Sequence, residues 1–263
     1  MPKLEGIQNV LLDIEGTICP ISFVKETLFP YALHALPVVL ATQWTSPTFI
    51  PYRQAFPLSH RTSPSALQSH VEDLTHGFLW KEGFANGEFA TPLFPDVVPR
   101  LREWRRGGVG LGVYSSGSVF AQKLLFRHVS VGGAARGGGK GGAGQAVDEH
   151  EHREKVLEAP AGTHQSAETE DLRDLMTDGG WFDTTNAGLK TEASSYGKIV
   201  ETLGWQPART LFLTDNVREY DAAASAGLRV ILLDRPGNAP VSAEDLARME
   251  VVQSLHDIEL VIK

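Results

Sequence analysis

Val10-Leu-Leu-Asp-Ile-Glu-Gly-Thr17 is the stretch around which the rest of the chain is organised. It begins with a short apolar run, which predicts a buried strand. Asp13 and Glu15 follow, and Gly16 allows a sharp turn at that point. Open α/β sheets hold ligands at the carboxyl ends of their strands, where such carboxylates can bind a hard cation or attack phosphorus. The motif alone is equally compatible with a strand that ends in an acidic turn without function.

Two further apolar runs lead directly into polar residues. Val109–Tyr114 precedes Ser115 and Ser116, and Leu211–Thr214 precedes Asp215. Helical patterns separate the runs, and this alternation predicts an α/β fold with a Rossmann-like parallel sheet. The serine turn before a helix is typical of a phosphate site, although a serine-rich turn that binds nothing fits the same pattern.

Parallel strands end at one edge of a sheet, so we expect the polar residues behind these strands to converge. They are Asp13, Ser115 and Asp215, and Lys190 is expected to reach them from a loop. Magnesium is usually coordinated by only a few protein carboxylates, and its other ligands come from water and phosphate. The combination favours phosphoryl transfer to Asp13, followed by hydrolysis of the aspartyl phosphate.

Residues 20–95 do not continue the sheet. Apolar residues recur at helical spacing through Ile21–Ala32, and we expect Pro37 to end that helix. Ser63-Pro64 is typical of a helix start, and the helix behind it would bury Leu67, Val71, Leu74 and Phe78. These patterns predict a small helical cap inserted after the first strand, or alternatively a helical subdomain of the core. The predicted units are a core of residues 1–19 and 96–263 and a cap of residues 20–95.

Residues 131–170 are predicted to be a disordered insertion in the core. Gly132 to Gly144 is of low complexity, and the polar residues that follow show no periodicity. His150 and His152 lie in this segment, where a solvated pair is the expected state, and we assign them no role.

Composition limits the class of protein. Hydrophobic residues make up 42% of the 263 residues and charged residues 21%, which is typical of a globular protein. The net charge of −8, without a basic stripe, disfavours a nucleic-acid partner. No apolar run reaches membrane-spanning length, and no signal-peptide pattern is visible. Cys19 is the single cysteine, so no internal disulfide forms, and a cytoplasmic location is expected.

These motifs resemble those of the haloacid dehalogenase (HAD) superfamily of phosphatases. Its four motifs match Asp13–Thr17, Ser115, Lys190 and Thr214-Asp215 with Glu219. More narrowly, the chain resembles the acireductone synthase family, the enolase-phosphatases of methionine salvage, because most other HAD phosphatases have aspartate where Glu15 stands. Further matching strings are Pro20–Val24, Trp80–Phe84, Phe94–Val97, Tyr114–Ser118, Phe182–Thr184, Gly188–Lys190 and Phe212–Asp215. The resemblance covers nearly the whole chain except roughly residues 38–65 and 131–170.

The resemblance implies an enzyme that converts 5-methylthio-2,3-dioxopentyl phosphate to acireductone and phosphate. It implies one Mg²⁺ per subunit, organised by Asp13, Glu15 and Asp215, with the backbone carbonyl of Glu15 as an alternative to its carboxylate. Ser115 and Ser116 would hold the phosphate end of this small substrate. Lys190 would bind the phosphate and pair with Asp13, so that the implied catalytic residues are Asp13, Glu15 and Lys190. A monomer, present in the nucleus as well as the cytoplasm, is also implied.

The chain departs from the family pattern at two places. Ile18-Cys19 replaces small hydroxyl residues beside the expected nucleophile, and the glycine-rich insertion is foreign to the family. Two other functions stay open: a HAD phosphatase for another small phosphate ester, and a non-catalytic phosphate-binding scaffold. Neither the base for enolisation nor the cap residues that touch the methylthio group can be read from the sequence.

Overall fold

Val10–Thr17 begins in the middle strand of the main sheet. The computed structural model describes residues 2–54, 58–59, 61–68, 76–131 and 168–261. The strands are β1 Lys3–Glu5, β2 Asn9–Leu12, β3 Gly110–Tyr114, β4 Val129–Ser130, β5 Thr169–Glu170, β6 Trp181–Phe182, β7 Thr210–Thr214, β8 Arg229–Leu233, β9 Val251–Val252 and β10 Glu259–Val261.

Six of the strands form one parallel sheet in the order β6-β3-β2-β7-β8-β9. In this sheet Leu12 pairs with Val113 on one side and with Leu213 on the other. The loops behind β2, β3 and β7 therefore leave the sheet side by side at one edge. This arrangement confirms the predicted parallel α/β sheet.

Helices cover both faces of the sheet. Between β2 and β3 the described residues form α1 Phe29–Gln43, α2 Ile50–Gln54, α3 Pro64–Gln68, α4 His76–Ala85 and α5 Val97–Arg106. The later helices are α6 Val119–Arg127, α7 Ala193–Leu203, α8 Val217–Ser225 and α9 Ala243–Arg248. Val10 and Leu12 pack into a core that contains Trp104, whereas Leu11 packs on the opposite face with Tyr196. Alternation along a buried strand thus supplies apolar contacts to both helical layers.

Capping residues mark the ends of three core helices. The Ser118 hydroxyl accepts a hydrogen bond from the Ala121 N–H at the start of α6, and Ser242 caps α9 in the same way from Asp245. Helix α7 ends at Gly204, whose φ of 65° is left-handed.

The helical segment between β2 and β3 has a small apolar core of its own, formed by Ala32, Leu36, Val39, Leu40, Phe49 and Leu67. A π-helical turn, Phe23–Leu28, leads into α1. The expectation that Pro37 ends this helix is wrong, because α1 continues through it to Gln43. Packing of Leu36 and Leu40 into this small core outweighs the missing backbone hydrogen bond. Helix α3 begins at Pro64 as predicted, but Val71 and Leu74 of its expected apolar face lie outside the described residues.

The structure also corrects the limits of the predicted insertion. Thr169-Glu170 is not disordered but forms β5, which pairs antiparallel with β4, and the Val131 N–H donates to the Glu168 carbonyl. Residues 132–167 lie outside the described residues. The pairing of β1 with β10 was not predicted. Among the described residues, no helix combines the length and hydropathy needed to span a bilayer.

Candidate active site

Asp13 lies at the carboxyl end of β2 and is almost completely buried. Its N–H donates to the Leu213 carbonyl at 2.9 Å, which continues the β2–β7 pairing by one residue. Oδ1 accepts from Lys190 Nζ at 2.5 Å, and Oδ2 accepts from the Thr17 hydroxyl at 3.2 Å. The carboxylate is thus held in one orientation by a cation and a hydroxyl.

Lys190 bridges two carboxylates. Its Nζ lies 2.7 Å from Oε2 of Glu219 as well as against Asp13, and Thr214 donates to the same Glu219 oxygen at 2.8 Å. Burial acts to lower the pKa of Lys190, but the charges of Asp13 and Glu219 outweigh it and raise that pKa. The ammonium therefore stays charged. Its backbone is fixed by the Tyr196 hydroxyl, which donates to the Lys190 carbonyl at 2.7 Å.

Asp215 lies directly against the backbone of Gly16. A Cβ built on Gly16 would stand 2.1 Å from Asp215 Oδ2, and the φ of Gly16 is +77°. Only glycine satisfies both conditions at this position. Burial, followed by the charges of Asp13 and Glu219, raises the pKa of Asp215 to about 7.

Ser115 and Glu15 contact each other across the loops behind β3 and β2. The buried Ser115 hydroxyl donates to Glu15 Oε2 at 3.0 Å and accepts from the Gly117 N–H at 3.1 Å. Burial is the main cause that raises the pKa of Glu15, and the charge of Asp13 adds to it. Ser116 is exposed and faces the adjoining cavity.

A cavity of about 670 Å³ opens beside these loops. Its polar wall comes from the core and contains Glu15, Ser115, Ser116, Ser118, Asp183 and Thr184. Its apolar wall comes mainly from the helical segment and contains Ile21, Val24, Leu28, Phe29, Tyr52 and Trp80. Among the described residues that line the cavity, Lys25 on the π-helical turn is the only cation. The cavity can therefore accept a small molecule with one polar and one apolar end.

The carboxylates of this region suit a hard cation. Four acids lie beside the ammonium group of Lys190, namely Asp13, Glu15, Asp215 and Glu219. Burial and mutual repulsion raise the pKa of Asp215 and that of Glu219 to about 7 each. Glu15 points to Ser115, and the described residues contain no group of three acids, histidines or cysteines at metal-binding spacing. Asp13 and Asp215 with water and phosphate oxygens would complete an octahedral shell.

The structure brings together every predicted site residue, but in two groups. Asp13, Lys190 and Asp215 surround the end of β2, whereas Ser115, Ser116 and Glu15 line the cavity. Sequence reasoning placed Glu219 in a motif but missed its contact with Lys190.

It also missed Asp183, which accepts from the Val119, Thr185 and Asn186 N–H groups, and Asn238, whose Nδ2 donates to the Gly16 carbonyl. The Asp183 contacts had a local signal, because an aspartate side chain often accepts hydrogen bonds from the backbone N–H groups two and three residues later in a turn. No local signal reveals the Asn238 contact.

Comparison with known proteins gives a consistent result. The chain is 44% identical over 268 aligned residues to "Enolase-phosphatase E1" of Chaetomium globosum, and the alignment covers 95% of this chain and 96% of that protein. The crystal structure of UTR4 protein from Saccharomyces cerevisiae superposes with a TM-score of 0.70 and 32% identity, covering 95% of this chain and 99% of that one. A HAD phosphatase from Thermococcus onnurineus shares the fold, with a TM-score of 0.52, 16% identity and 95% coverage of both chains. No family model matches the chain.

Proposed function

This chain belongs to the enolase-phosphatase E1 family, and on that premise we propose that the site around Asp13 converts 5-methylthio-2,3-dioxopentyl phosphate to acireductone and phosphate in methionine salvage. The observation that supports this role for the site is the buried contact of Asp13 with Lys190, next to a cavity with one polar and one apolar wall.

Asp13 is the proposed nucleophile. One of its oxygens forms a bond to phosphorus while the bond from phosphorus to the substrate oxygen breaks, and water then hydrolyses the aspartyl phosphate. Lys190 balances negative charge at the phosphoryl group, and Glu219 fixes the position of its ammonium. Thr17 holds the second carboxylate oxygen of Asp13 and so limits rotation of the nucleophile.

We assign Mg²⁺ as the metal, with Asp13 and Asp215 as its carboxylate ligands and Glu15 as a ligand through its backbone carbonyl. When bound, Mg²⁺ would offset the charge of the clustered acids and polarise the phosphate oxygens. The acid-rich donor set supports this choice, because oxygen ligands suit hard cations.

Glu15 is the proposed base for enolisation. It lines the cavity, and burial raises its pKa, which makes its carboxylate a stronger base than an exposed one. Asp183 also lines the cavity, but its two carboxylate oxygens are engaged by three backbone hydrogen bonds, which hold the carboxylate in the turn rather than toward a substrate. Ser115 would orient Glu15, and Ser116 would contact the phosphate end of the substrate.

The apolar wall supports a substrate with a methylthioalkyl tail. Leu28, Phe29 and Trp80 offer it a hydrophobic surface opposite the polar loops. We further propose a monomer that acts in the cytoplasm and the nucleus on this small phosphate, without a nucleic-acid or membrane partner.

The test uses Asp13→Asn and the diketone phosphate. The amide keeps the size of the side chain but is a far poorer nucleophile, so phosphate release should be lost while an enol phosphate accumulates slowly. Ultraviolet absorbance and free phosphate are followed together, with the exposed Asp178→Asn as a control expected to match the wild type. Undiminished phosphate release by Asp13→Asn would remove Asp13 as the nucleophile. Loss of both signals with metal binding intact would show that Asp13 serves both steps or that the enolase half-reaction is absent.

A further inference from the structure

A tight turn behind β8 holds the loop that carries Asp13. In Arg235-Pro-Gly-Asn238 the Asn238 N–H donates to the Arg235 carbonyl at 3.1 Å, and the φ of Gly237 is +91°. Proline at the second position and a positive φ at the third define a type II turn. The turn places Arg235 and Asn238 under the loop behind β2, where Arg235 Nε donates to the Thr17 carbonyl at 3.1 Å.

The orientation of the Asn238 carboxamide is determined by its contacts. Nδ2 donates to the Gly16 carbonyl at 2.8 Å and to the Leu233 carbonyl at 3.2 Å. If the amide were flipped, Oδ1 would face both carbonyl oxygens and could accept no hydrogen bond from them. Oδ1 must therefore face away from the two carbonyls. In that position Oδ1 is buried, and no described residue donates a hydrogen bond to it.

Asn238 Oδ1 and Asp215 Oδ2 face the same point beside Gly16. A Cβ on Gly16 would lie 2.9 Å from the first oxygen and 2.1 Å from the second. Both oxygens are acceptors, and Asn238 Oδ1 is a buried acceptor for which the described residues offer no donor, which is destabilising. A hydrogen-bond donor that sits beside Gly16 would satisfy both.

We propose that Asn238 is a positioning residue whose Oδ1 accepts a hydrogen bond from a water ligand of the Mg²⁺ that Asp215 binds. This inference rests on the proposed function, since it requires the metal. Outer groups that hold ligands of a metal typically change its affinity 10–100-fold when they are removed. The sequence Arg-Pro-Gly-Asn at this position thus serves metal binding as well as the turn.

The test measures the Mn²⁺ affinity of Asn238→Ala and of Asn238→Asp. Electron paramagnetic resonance detects the bound Mn²⁺, and Mg²⁺ serves as a competitor. Both variants lose the Nδ2 hydrogen bonds to Gly16 and Leu233, so both should melt at a lower temperature than the wild type. Asn238→Asp keeps an acceptor oxygen and should bind Mn²⁺ at least as tightly as the wild type. Asn238→Ala should bind roughly tenfold or more weakly.

Equal Mn²⁺ affinity in Asn238→Ala and the wild type would overturn the inference and leave Asn238 as an anchor of the loop. If Asn238→Ala does not fold, a tenfold loss of affinity in Asn238→Asp would overturn the inference as well. A wild type that binds no Mn²⁺ would overturn the metal assignment itself, which distinguishes that failure from the others.

Discussion

Replacing Gly16 with alanine should disrupt both the fold and the reaction. Alanine at a φ of +77° costs about 1–2 kcal/mol. The new Cβ would also stand 2.1 Å from Asp215 Oδ2 and 2.7 Å from its Cγ, an overlap that typically costs about 1–3 kcal/mol. Gly16→Ala should therefore lower the free energy of unfolding by about 2–5 kcal/mol, which corresponds to a fall in melting temperature of roughly 5–15 °C.

The overlap can be relieved only if Asp215 or the Gly16 loop moves. Either movement separates Asp215 from Asp13, and a displacement of about 1 Å at a reacting group can cost on the order of 100-fold in rate. Phosphate release from the diketone phosphate should fall by about that factor at saturating substrate.

Gly108→Ala is a matched control for backbone strain. Gly108 has a φ of +83°, and a Cβ there would meet no atom within 4 Å. Gly108→Ala should lower the free energy of unfolding only by the backbone strain, about 1–2 kcal/mol, and should leave turnover unchanged. Chemical denaturation and phosphate release measure both effects. A Gly16→Ala protein that is as stable and as active as Gly108→Ala would refute the contact between Asp215 and Gly16.

Three further predictions follow from other contacts. Asp96→Asn should destabilise the protein by about 3–5 kcal/mol, since it breaks a buried ion pair with Arg235. Burial opposes ionisation of Asp96, but hydrogen bonds from Arg235 and Leu255 lower its pKa below the ordinary value. The stabilisation that the ionised Asp96 provides is therefore present at neutral pH and is lost as the pH falls below about 4. A plot of melting temperature against pH should fall less steeply on its acid side for the variant than for the wild type. Replacing residues 132–167 with a short Gly/Ser linker should leave melting temperature and turnover nearly unchanged, because β4 and β5 pair at the two ends of that segment, and a large loss of either would contradict this. Exchanging Mg²⁺ for Ca²⁺ should suppress phosphate release, because Ca²⁺ prefers more ligands at longer distances, and full activity with Ca²⁺ or with excess chelator would exclude the magnesium assignment.

Local sequence patterns predicted much of the fold because they reflect interactions between residues that are close in the chain. The apolar run before Asp13 is a strand since β2 is buried on both faces, and Ser118, Ser242 and Gly204 mark helix ends by satisfying free backbone groups. The family resemblance likewise implied that Lys190 pairs with Asp13, and the two side chains are in contact.

Long-range contacts explain what the sequence did not reveal. Pro37 would end an isolated helix, but the apolar contacts of α1 lie on both sides of it. The Asn238–Gly16 hydrogen bond joins residues that are 222 positions apart, and the Lys190–Glu219 pair depends on how α8 leaves the sheet. Such contacts depend on the assembled sheet edge, which no local pattern describes.

The most direct test of the proposed reaction is the product formed by the purified wild-type protein from the diketone phosphate. Ultraviolet absorbance, which the conjugated enediol has and its diketone isomer lacks, and phosphate determination on the same sample, with Mg²⁺ present and oxygen excluded, should show acireductone and free phosphate in equal amounts. Phosphate released together with a diketone alcohol that the protein has not enolised would contradict the account and indicate a HAD phosphatase for another ester.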